Sequence, residues 1–83
     1  MKIILDKETN LCLYSFEDDY NIEIGDENVK IDKHNYIGYL NSDNCILVEN
    51  VELPEDWKEN KFVYNNNNEW ILNSNWSEPN VIE

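Results

Sequence analysis

Residues 61–72 read KFVYNNNNEWIL, and this stretch is the clearest local indication of the fold. Two apolar runs, Phe62–Tyr64 and Trp70–Leu72, flank four consecutive asparagines. Asparagine tolerates the positive φ angles that tight turns require, so the four residues can connect two strands without a glycine. The stretch therefore predicts an antiparallel β-hairpin with its turn at residues 65–68.

Three further pairs of short strands are predicted upstream of this hairpin. Residues 2–5 and 11–16 form the first pair, residues 22–24 and 29–31 the second, and residues 36–40 and 45–48 the third. In each pair a polar stretch separates two runs that are rich in β-branched or aromatic residues or that alternate apolar with polar positions. Between the third pair and the hairpin, Pro54 followed by two acidic residues favours one short helical turn near 54–59.

The expected fold is mainly β: a small antiparallel sandwich, barrel or curled meander of seven or eight short strands. Ala, Gln and Arg, which favour helices, are absent, whereas nine Ile and ten aromatic residues suit a pleated, half-buried surface. Eighty-three residues leave room for one small domain. We expect a single β-rich domain over residues 1–76 and, because residues 77–83 contain Pro79 and no alternation, a C-terminal arm.

The charge balance argues against nucleic acid and membranes as direct partners. Eighteen Asp and Glu stand against six Lys and no Arg, which gives a formal net charge of -12. A surface of this sign repels phosphate groups and anionic lipid headgroups. The opening apolar run of three residues is too short for a signal peptide, and no apolar segment has the length of a membrane span.

The chain lacks the residue patterns of metal sites and cofactor sites. Cys12 and Cys45 each lie in an apolar run, so we expect both thiols to be reduced and buried, and neither forms a zinc-type pair with the single His34. The oxygen-bearing residues that begin at Asp6 imitate the spacing of a calcium loop, but Leu11 stands where the loop needs glycine. We therefore expect no metal and no cofactor.

Catalysis is not expected either. His34 lies in a polar turn without a nucleophile at a recognisable spacing, and two glycines are too few for a phosphate-binding loop. A chain of this length rarely builds both a core and an active-site pocket. The sequence predicts no catalytic residues and a protein that is not an enzyme.

Large aromatic residues are concentrated in the last third of the chain. The cluster consists of Trp57, Phe62, Tyr64, Trp70 and Trp76. One interpretation is that these rings form the main core, and the other is that they form a contact surface, since Trp and Tyr are enriched at interface hot spots. The predicted partner-binding residues are Trp57, Tyr64, Trp70 and Trp76, of which Trp76 is the expected exposed anchor because it follows the last strand. Carbohydrate binding by stacked rings is a further use of such a cluster.

Residues 53–76 resemble part of a known group of proteins. LPEDW, then KFVY, a polar turn, EWILN and a closing NW resemble the carboxyl-terminal part of small accessory proteins of tailed bacteriophages, often linked to tail fibres. The opening MKIILDKETNLCLYSF is similar to their N-terminal start. The chain departs from the pattern in the turn, where residues 65–68 are asparagines and a glycine is the usual residue.

This resemblance implies a structural or interaction protein of a phage particle: a tail, tail-fibre or capsid accessory subunit. Such a subunit would bind a larger virion protein through strand edges, aromatic anchors and an arm. It would be present in multiple symmetric copies in the virion, and in the host cytoplasm during assembly. The alternative that the charge of -12 suggests is an acidic inhibitor that mimics nucleic acid and occupies a basic groove of a host or defence protein.

Overall fold

Eight short β-strands make up the described part of the chain, which in the computed structural model covers residues 1–32, 35–65 and 67–76. The strands are β1 (Lys2–Asp6), β2 (Cys12–Phe16), β3 (Ile22–Ile24), β4 (Val29–Ile31), β5 (Asn35–Ile37), β6 (Cys45–Val48), β7 (Phe62–Tyr64) and β8 (Trp70–Leu72). The described residues contain no helix. The predicted all-β fold is confirmed.

Three of the four predicted strand pairs are present. Strands β1 and β2, β3 and β4, and β7 and β8 each pair antiparallel in the order expected from the sequence. The first pair contains one irregularity, a bulge between Ile4 and Leu5. These hairpins follow directly from short polar turns between apolar runs, because local turn chemistry determines which strands pair.

The predicted pairing of residues 36–40 with residues 45–48 is wrong. Strand β5 pairs with β4, and β6 pairs with β1. The reason is that β5 ends at Ile37, after which a turn buries the Leu40 side chain to 4 % exposure. Residues 41–44 then form a separate turn, closed by the backbone N–H of Asn44 donating to the carbonyl of Asn41 at 3.2 Å.

Two turns replace the helical turn that was predicted near 54–59. The backbone N–H of Trp57 donates to the carbonyl of Pro54 at 3.1 Å, and that of Lys61 donates to the carbonyl of Lys58 at 3.1 Å. In the second turn, between Lys58 and Lys61, Asn60 has a φ angle of 65°, which lies outside the right-handed helical region. The chain therefore reverses direction here and enters β7.

Strand β1 lies in the middle of the fold and separates two cores. It is the central strand of the sheet β2-β1-β6, and its alternate side chains point to opposite faces. Ile4 contributes to what we call the first core, which also contains Ile22, Val29, Ile31, Leu40 and Cys45. Ile3 and Leu5 contribute to the second core, together with Cys12 and Val51. The sheet β3-β4-β5 covers the first core, and aromatic residues of the C-terminal hairpin pack against the second.

Both cysteines are free and buried, as expected from the sequence. Cys12 belongs to the second core and Cys45 to the first, so they face opposite sides of the central sheet. His34 and the predicted C-terminal arm, residues 77–83, lie outside the described residues.

Asparagine takes the backbone conformation for which many proteins use glycine. Among the residues that the structure describes, those with positive φ are Asn10, Asp32, Asn50, Asn60 and Asn68, at angles from 54° to 65°. Neither glycine has a positive φ. The expected role of asparagine in the turn of the C-terminal hairpin is confirmed at Asn68.

Replacing Asn68 by Ala is expected to destabilise the fold, because a Cβ-bearing residue without a short polar side chain is strained at a φ angle of 62°. We expect the free energy of unfolding to fall by about 1 kcal/mol. Asn68→Gly is the matched control, and it is expected to stay within about 0.5 kcal/mol of the unaltered chain. Denaturant unfolding of both variants checks this, and equal losses would contradict the conformational explanation.

Candidate interaction site

The C-terminal hairpin is attached to the rest of the fold along β7. Leu11 and Val63 form an antiparallel bridge, and the backbone N–H of Tyr64 donates to the carbonyl of Asn10 at 3.0 Å. Asn60 N–H donates to the carbonyl of Cys12 at 3.0 Å. Because β7 meets the start of β2 on one side and β8 on the other, β8 is the outermost strand of the hairpin.

Trp70 connects the hairpin to the second core. Its indole Nε1–H donates to the backbone carbonyl of Glu52 at 2.9 Å. The centroid of its ring lies 4.6 Å from that of the Tyr64 ring. It lies 6.1 Å from the centroid of the Phe62 ring, which it meets edge to face. Trp70 and Tyr64 both pack against the second core and both stay partly exposed. These two predicted partner-binding residues therefore have a structural role and retain some free surface.

Trp57 also packs against the second core, beside the thiol of Cys12. Its buried Nε1–H has no partner at hydrogen-bond distance and angle among the described residues, although its proximity to the Cys12 sulfur lowers the pKa of that thiol. Burial has the larger, opposite effect and raises the pKa of Cys12 to about 11. The thiol is therefore protonated near neutral pH and is a poor nucleophile.

Trp76 contacts two lysine ammonium groups through its ring and forms a hydrogen bond through its backbone. The Lys61 ammonium lies 4.9 Å from the centroid of the Trp76 ring, and the Lys58 ammonium lies 5.9 Å from it. The Trp76 N–H donates to the carbonyl of Asn73 at 3.0 Å. The side chain is half-buried, and it is not among the residues that pack against either core. Of the four predicted partner-binding residues, Trp76 is the one that depends least on the core.

Lys61 is buried, with 8 % of its surface exposed, and its ammonium group contacts both a carboxylate and aromatic rings. Its Nζ lies 3.0 Å from Oδ2 of Asp56 and 5.5 Å from the centroid of the Phe62 ring. The hydrogen bond from Lys61 is the main cause that lowers the pKa of the Asp56 carboxyl from its ordinary value of 3.8. The ion pair between Lys61 and Asp56 therefore links the turn at residues 54–57 to the residue that precedes β7.

Replacing Lys61 by Met is expected to raise the pKa of Asp56 toward its ordinary value, because the main hydrogen bond to its carboxylate is lost. The folded-state pKa of Asp56 lies below the unfolded value, so its contribution to stability is present above the unfolded pKa. It is lost as the pH falls through the folded pKa. Side-chain carboxyl NMR titration of Asp56 in both chains measures the shift, and an unchanged pKa in Lys61→Met would contradict the assigned pairing.

Strand β8 carries two exposed aliphatic side chains that sequence reasoning missed. Ile71 is 49 % exposed and Leu72 is 58 % exposed. We call Ile71 on one face of β8, Leu72 on the other, and the exposed parts of Trp70 and Trp76 the hairpin patch. Residues 61–76 contain one Lys and one Glu, so this stretch is neutral in a chain of net charge -12. That local neutrality is visible in the sequence and could have drawn attention to β8.

Three exposed aromatic residues lie outside the C-terminal hairpin. Tyr20, Tyr36 and Tyr39 are 39 %, 58 % and 65 % exposed. The hydroxyl groups of Tyr39 and Tyr14 are hydrogen-bonded to each other, and this bond is the main cause that raises the pKa of Tyr14 to about 12. Tyr36 lies on β5, in the sheet that covers the first core, and not in the sheet of the C-terminal hairpin.

An open cleft of about 350 Å³ lies near the first turn. Its lining residues are Asp6, Lys7, Glu8, Asp43 and Asn44. The Asp6 carboxylate accepts the backbone N–H groups of Glu8 and Thr9 at 2.8 and 3.2 Å, so it caps the turn. Within residues 1–32, 35–65 and 67–76, no three His, Cys, Asp or Glu side chains are arranged to hold a metal ion. The same part of the chain has no helix that could cross a membrane.

Comparison of the chain with protein-family models, with curated proteins and with solved structures found no match.

Proposed function

We propose that this chain is a non-enzymatic structural or interaction protein of a bacteriophage particle, a tail, tail-fibre or capsid accessory subunit that binds a larger virion protein. The observation that carries the proposal is the hairpin patch. Two exposed aliphatic residues lie on one short strand, beside two half-buried tryptophans, on the neutral part of an acidic chain. Ile71 and Leu72 expose apolar surface on both faces of this outermost strand, and exposed apolar surface of this kind marks protein-binding sites, whose hot spots are enriched in tryptophan.

The distribution of charge supports a protein partner with a basic surface. The net charge of -12 is carried outside residues 61–76, so the acidic body attracts a basic partner while the neutral hairpin makes the apolar contact. Like charges on two copies repel each other, which favours binding to a different protein. The assignment to a phage particle is supported by the resemblance of residues 53–76 to phage accessory proteins.

Quantitative mass spectrometry of gradient-purified phage particles tests this proposal. The copy number of the chain is referred to that of the major capsid protein, before and after a high-salt wash. We expect a fixed copy number that survives the wash, because salt screens the attraction between the acidic body and the basic partner but leaves the apolar contact of the hairpin intact. Absence of the chain from particles, with the protein abundant in the infected lysate, would contradict the proposal.

The alternative, an acidic mimic of nucleic acid, is favoured by a different region of the chain. Residues 17–27 contain six exposed carboxylates: Glu17, Asp18, Asp19, Glu23, Asp26 and Glu27. A mimic would use such a surface to occupy a basic groove, and its binding would weaken steeply as salt is raised. Retention of a basic host protein at low salt and its release at high salt, with no chain in particles, is the result this alternative predicts.

A further inference from the structure

We infer that the outer edge of β8 is the docking site for an extended segment of the partner, which adds as a further strand alongside Trp70–Leu72. The docking segment has an apolar centre and basic flanks. This inference rests on the proposed function, because it names the surface and the chemistry of the same contact.

The hydrogen bonds of the hairpin identify the backbone groups that face outward. The N–H of Asn65 donates to the carbonyl of Glu69 at 3.0 Å, and the N–H of Asn73 donates to the carbonyl of Lys61 at 2.8 Å. In an antiparallel pair, directly opposed residues alternate between hydrogen-bonded and non-hydrogen-bonded pairs. The register places Ile71 opposite Val63, which is a hydrogen-bonded position midway between those two bonds.

Trp70 and Leu72 are therefore at the non-hydrogen-bonded positions of the hairpin. Their backbone N–H and C=O groups point away from β7, toward the outer edge. No described residue donates a hydrogen bond to these groups or accepts one from them. Two donors and two acceptors are thus spaced along one edge in the pattern that an added strand requires.

The opposite side of the hairpin is already occupied. The outward backbone N–H of Tyr64 on β7 donates to the carbonyl of Asn10, and Leu11 bridges to Val63. Among the described residues, β7 is thus paired on both sides, and an added strand would join this hairpin beside β8.

The exposed side chains of β8 indicate an apolar centre for the docking segment. Ile71 and Leu72 point to opposite faces of the hairpin, since side chains alternate along a strand, and both are about half exposed or more. An added strand would place its own alternating side chains next to both. Apolar residues at the centre of that strand would cover the aliphatic surface that β8 leaves open.

Charge complementarity selects basic flanks and argues against a second copy of the chain. Residues 61–76 are neutral, but the surrounding chain carries the net charge of -12. Lys or Arg before and after the apolar centre of the added strand is attracted by the net negative charge of the chain as a whole. A second copy pairing through its own β8 would bring two chains of the same sign together.

Amide hydrogen exchange, followed by NMR on the full-length ¹⁵N-labelled chain, tests the inference directly. The probe is a synthetic peptide of about twelve residues with consecutive Val residues at its centre, Thr on either side of them and Lys at both ends. We expect the Trp70 and Leu72 amides to exchange rapidly in the chain alone and at least about tenfold more slowly with the peptide. The Ile71 amide, which faces β7, is expected to be protected in both states. A peptide with Glu at both ends is the matched control and is expected to protect neither edge amide.

Three outcomes would overturn the inference. Slow exchange of the Leu72 amide in the chain alone would show that the edge is already paired. Equal protection of the Trp70 and Leu72 amides by the Glu-flanked peptide would show that the docking segment does not need basic flanks. Protection on β5 around Tyr36, with none at Trp70 and Leu72, would move the docking site to the other sheet.

A backbone-directed variant separates strand addition from simple apolar contact. Leu72→Pro removes the outward N–H and leaves the hydrogen bonds between Ile71 and Val63 in place, because proline is tolerated at strand edges. We expect the variant to lose peptide protection of Trp70, while Leu72→Ala, which keeps the N–H, retains it in part. If Leu72→Pro does not fold, the exchange measurement on the unaltered chain still decides the question.

The particles distinguish failure of this inference from failure of the proposed function. If folded Leu72→Pro is incorporated at the same copy number as the unaltered chain, the docking edge is wrong and the virion role stands. If the unaltered chain is absent from particles, the virion role fails, and the exchange result still decides whether β8 accepts a strand.

Discussion

Replacing Trp76 by Ala is expected to weaken binding to the virion partner by at least about 2 kcal/mol while the chain stays folded. Trp76 is half-buried, and its ring contacts the ammonium groups of Lys58 and Lys61 instead of packing against either core. A partner that covers the hairpin patch would desolvate this ring and strengthen both cation contacts. Truncation to Ala removes that buried area and the cation contacts that the Trp76 ring makes with both lysines.

Titration calorimetry against the purified partner protein measures the loss, and thermal unfolding of Trp76→Ala provides the check on folding. Tyr36→Ala is the matched control, because Tyr36 is 58 % exposed on the sheet that covers the first core. We expect it to change the binding free energy by less than about 0.5 kcal/mol. An unfolded Trp76→Ala chain would assign Trp76 to the core and contradict its role as an anchor.

Replacing Ile4 by Ala is expected to lower the free energy of unfolding by about 3 kcal/mol. Ile4 is fully buried on the central strand, where it packs within the first core between the sheet β2-β1-β6 and the sheet β3-β4-β5. Truncation removes apolar area from this core and leaves a cavity between two sheets, and the hydrogen bonds within each sheet limit how far the strands can shift to fill it. A loss of this size is a large part of the total stability of a small domain.

Denaturant unfolding measures this effect, with Ile71→Ala as the control. Ile71 has the same side chain on a strand, but it is 49 % exposed, so its loss is expected to be below about 1 kcal/mol. Similar losses for Ile4→Ala and Ile71→Ala would contradict the assignment of Ile4 to a core enclosed by two sheets.

Hairpins could be predicted from the sequence because their information is local. The asparagine turn at residues 65–68 joins β7 to β8, and the polar stretch after Asp6 joins β1 to β2, as expected. The pairing of β6 with β1 could not be predicted in the same way. It joins Cys45–Val48 to a strand about forty residues earlier, and alternation shows that a strand exists without showing which strand it pairs with.

The roles of the aromatic residues could likewise be predicted only in part. Their concentration in the sequence predicted a cluster that serves as core, as contact surface, or as both. Trp57, Tyr64 and Trp70 pack against the second core, whereas Trp76 contacts the buried Lys61. Sequence periodicity does not show such a contact, because it depends on how two turns place Lys61 beneath the ring.

The exposure of Ile71 and Leu72 was not predicted for a related physical reason. Apolar residues in a strand are expected to be covered by a second layer, and whether a layer is present depends on the order of strands in space. Strand β8 is the outermost strand of its hairpin, so part of its apolar surface stays open. The sequence gives the order of strands along the chain and not their order in the sheets.

Photo-cross-linking from position 72 in assembled phage particles tests the central claim most directly. A benzophenone side chain replaces Leu72, with the same side chain at Tyr36 as the control, and the cross-linked peptides are identified by mass spectrometry. We expect position 72 to cross-link to one larger virion protein, within an extended apolar segment flanked by Lys or Arg, and position 36 to give little product. Cross-links from position 72 only to a second copy of the chain, or equal products from both positions, would contradict the account.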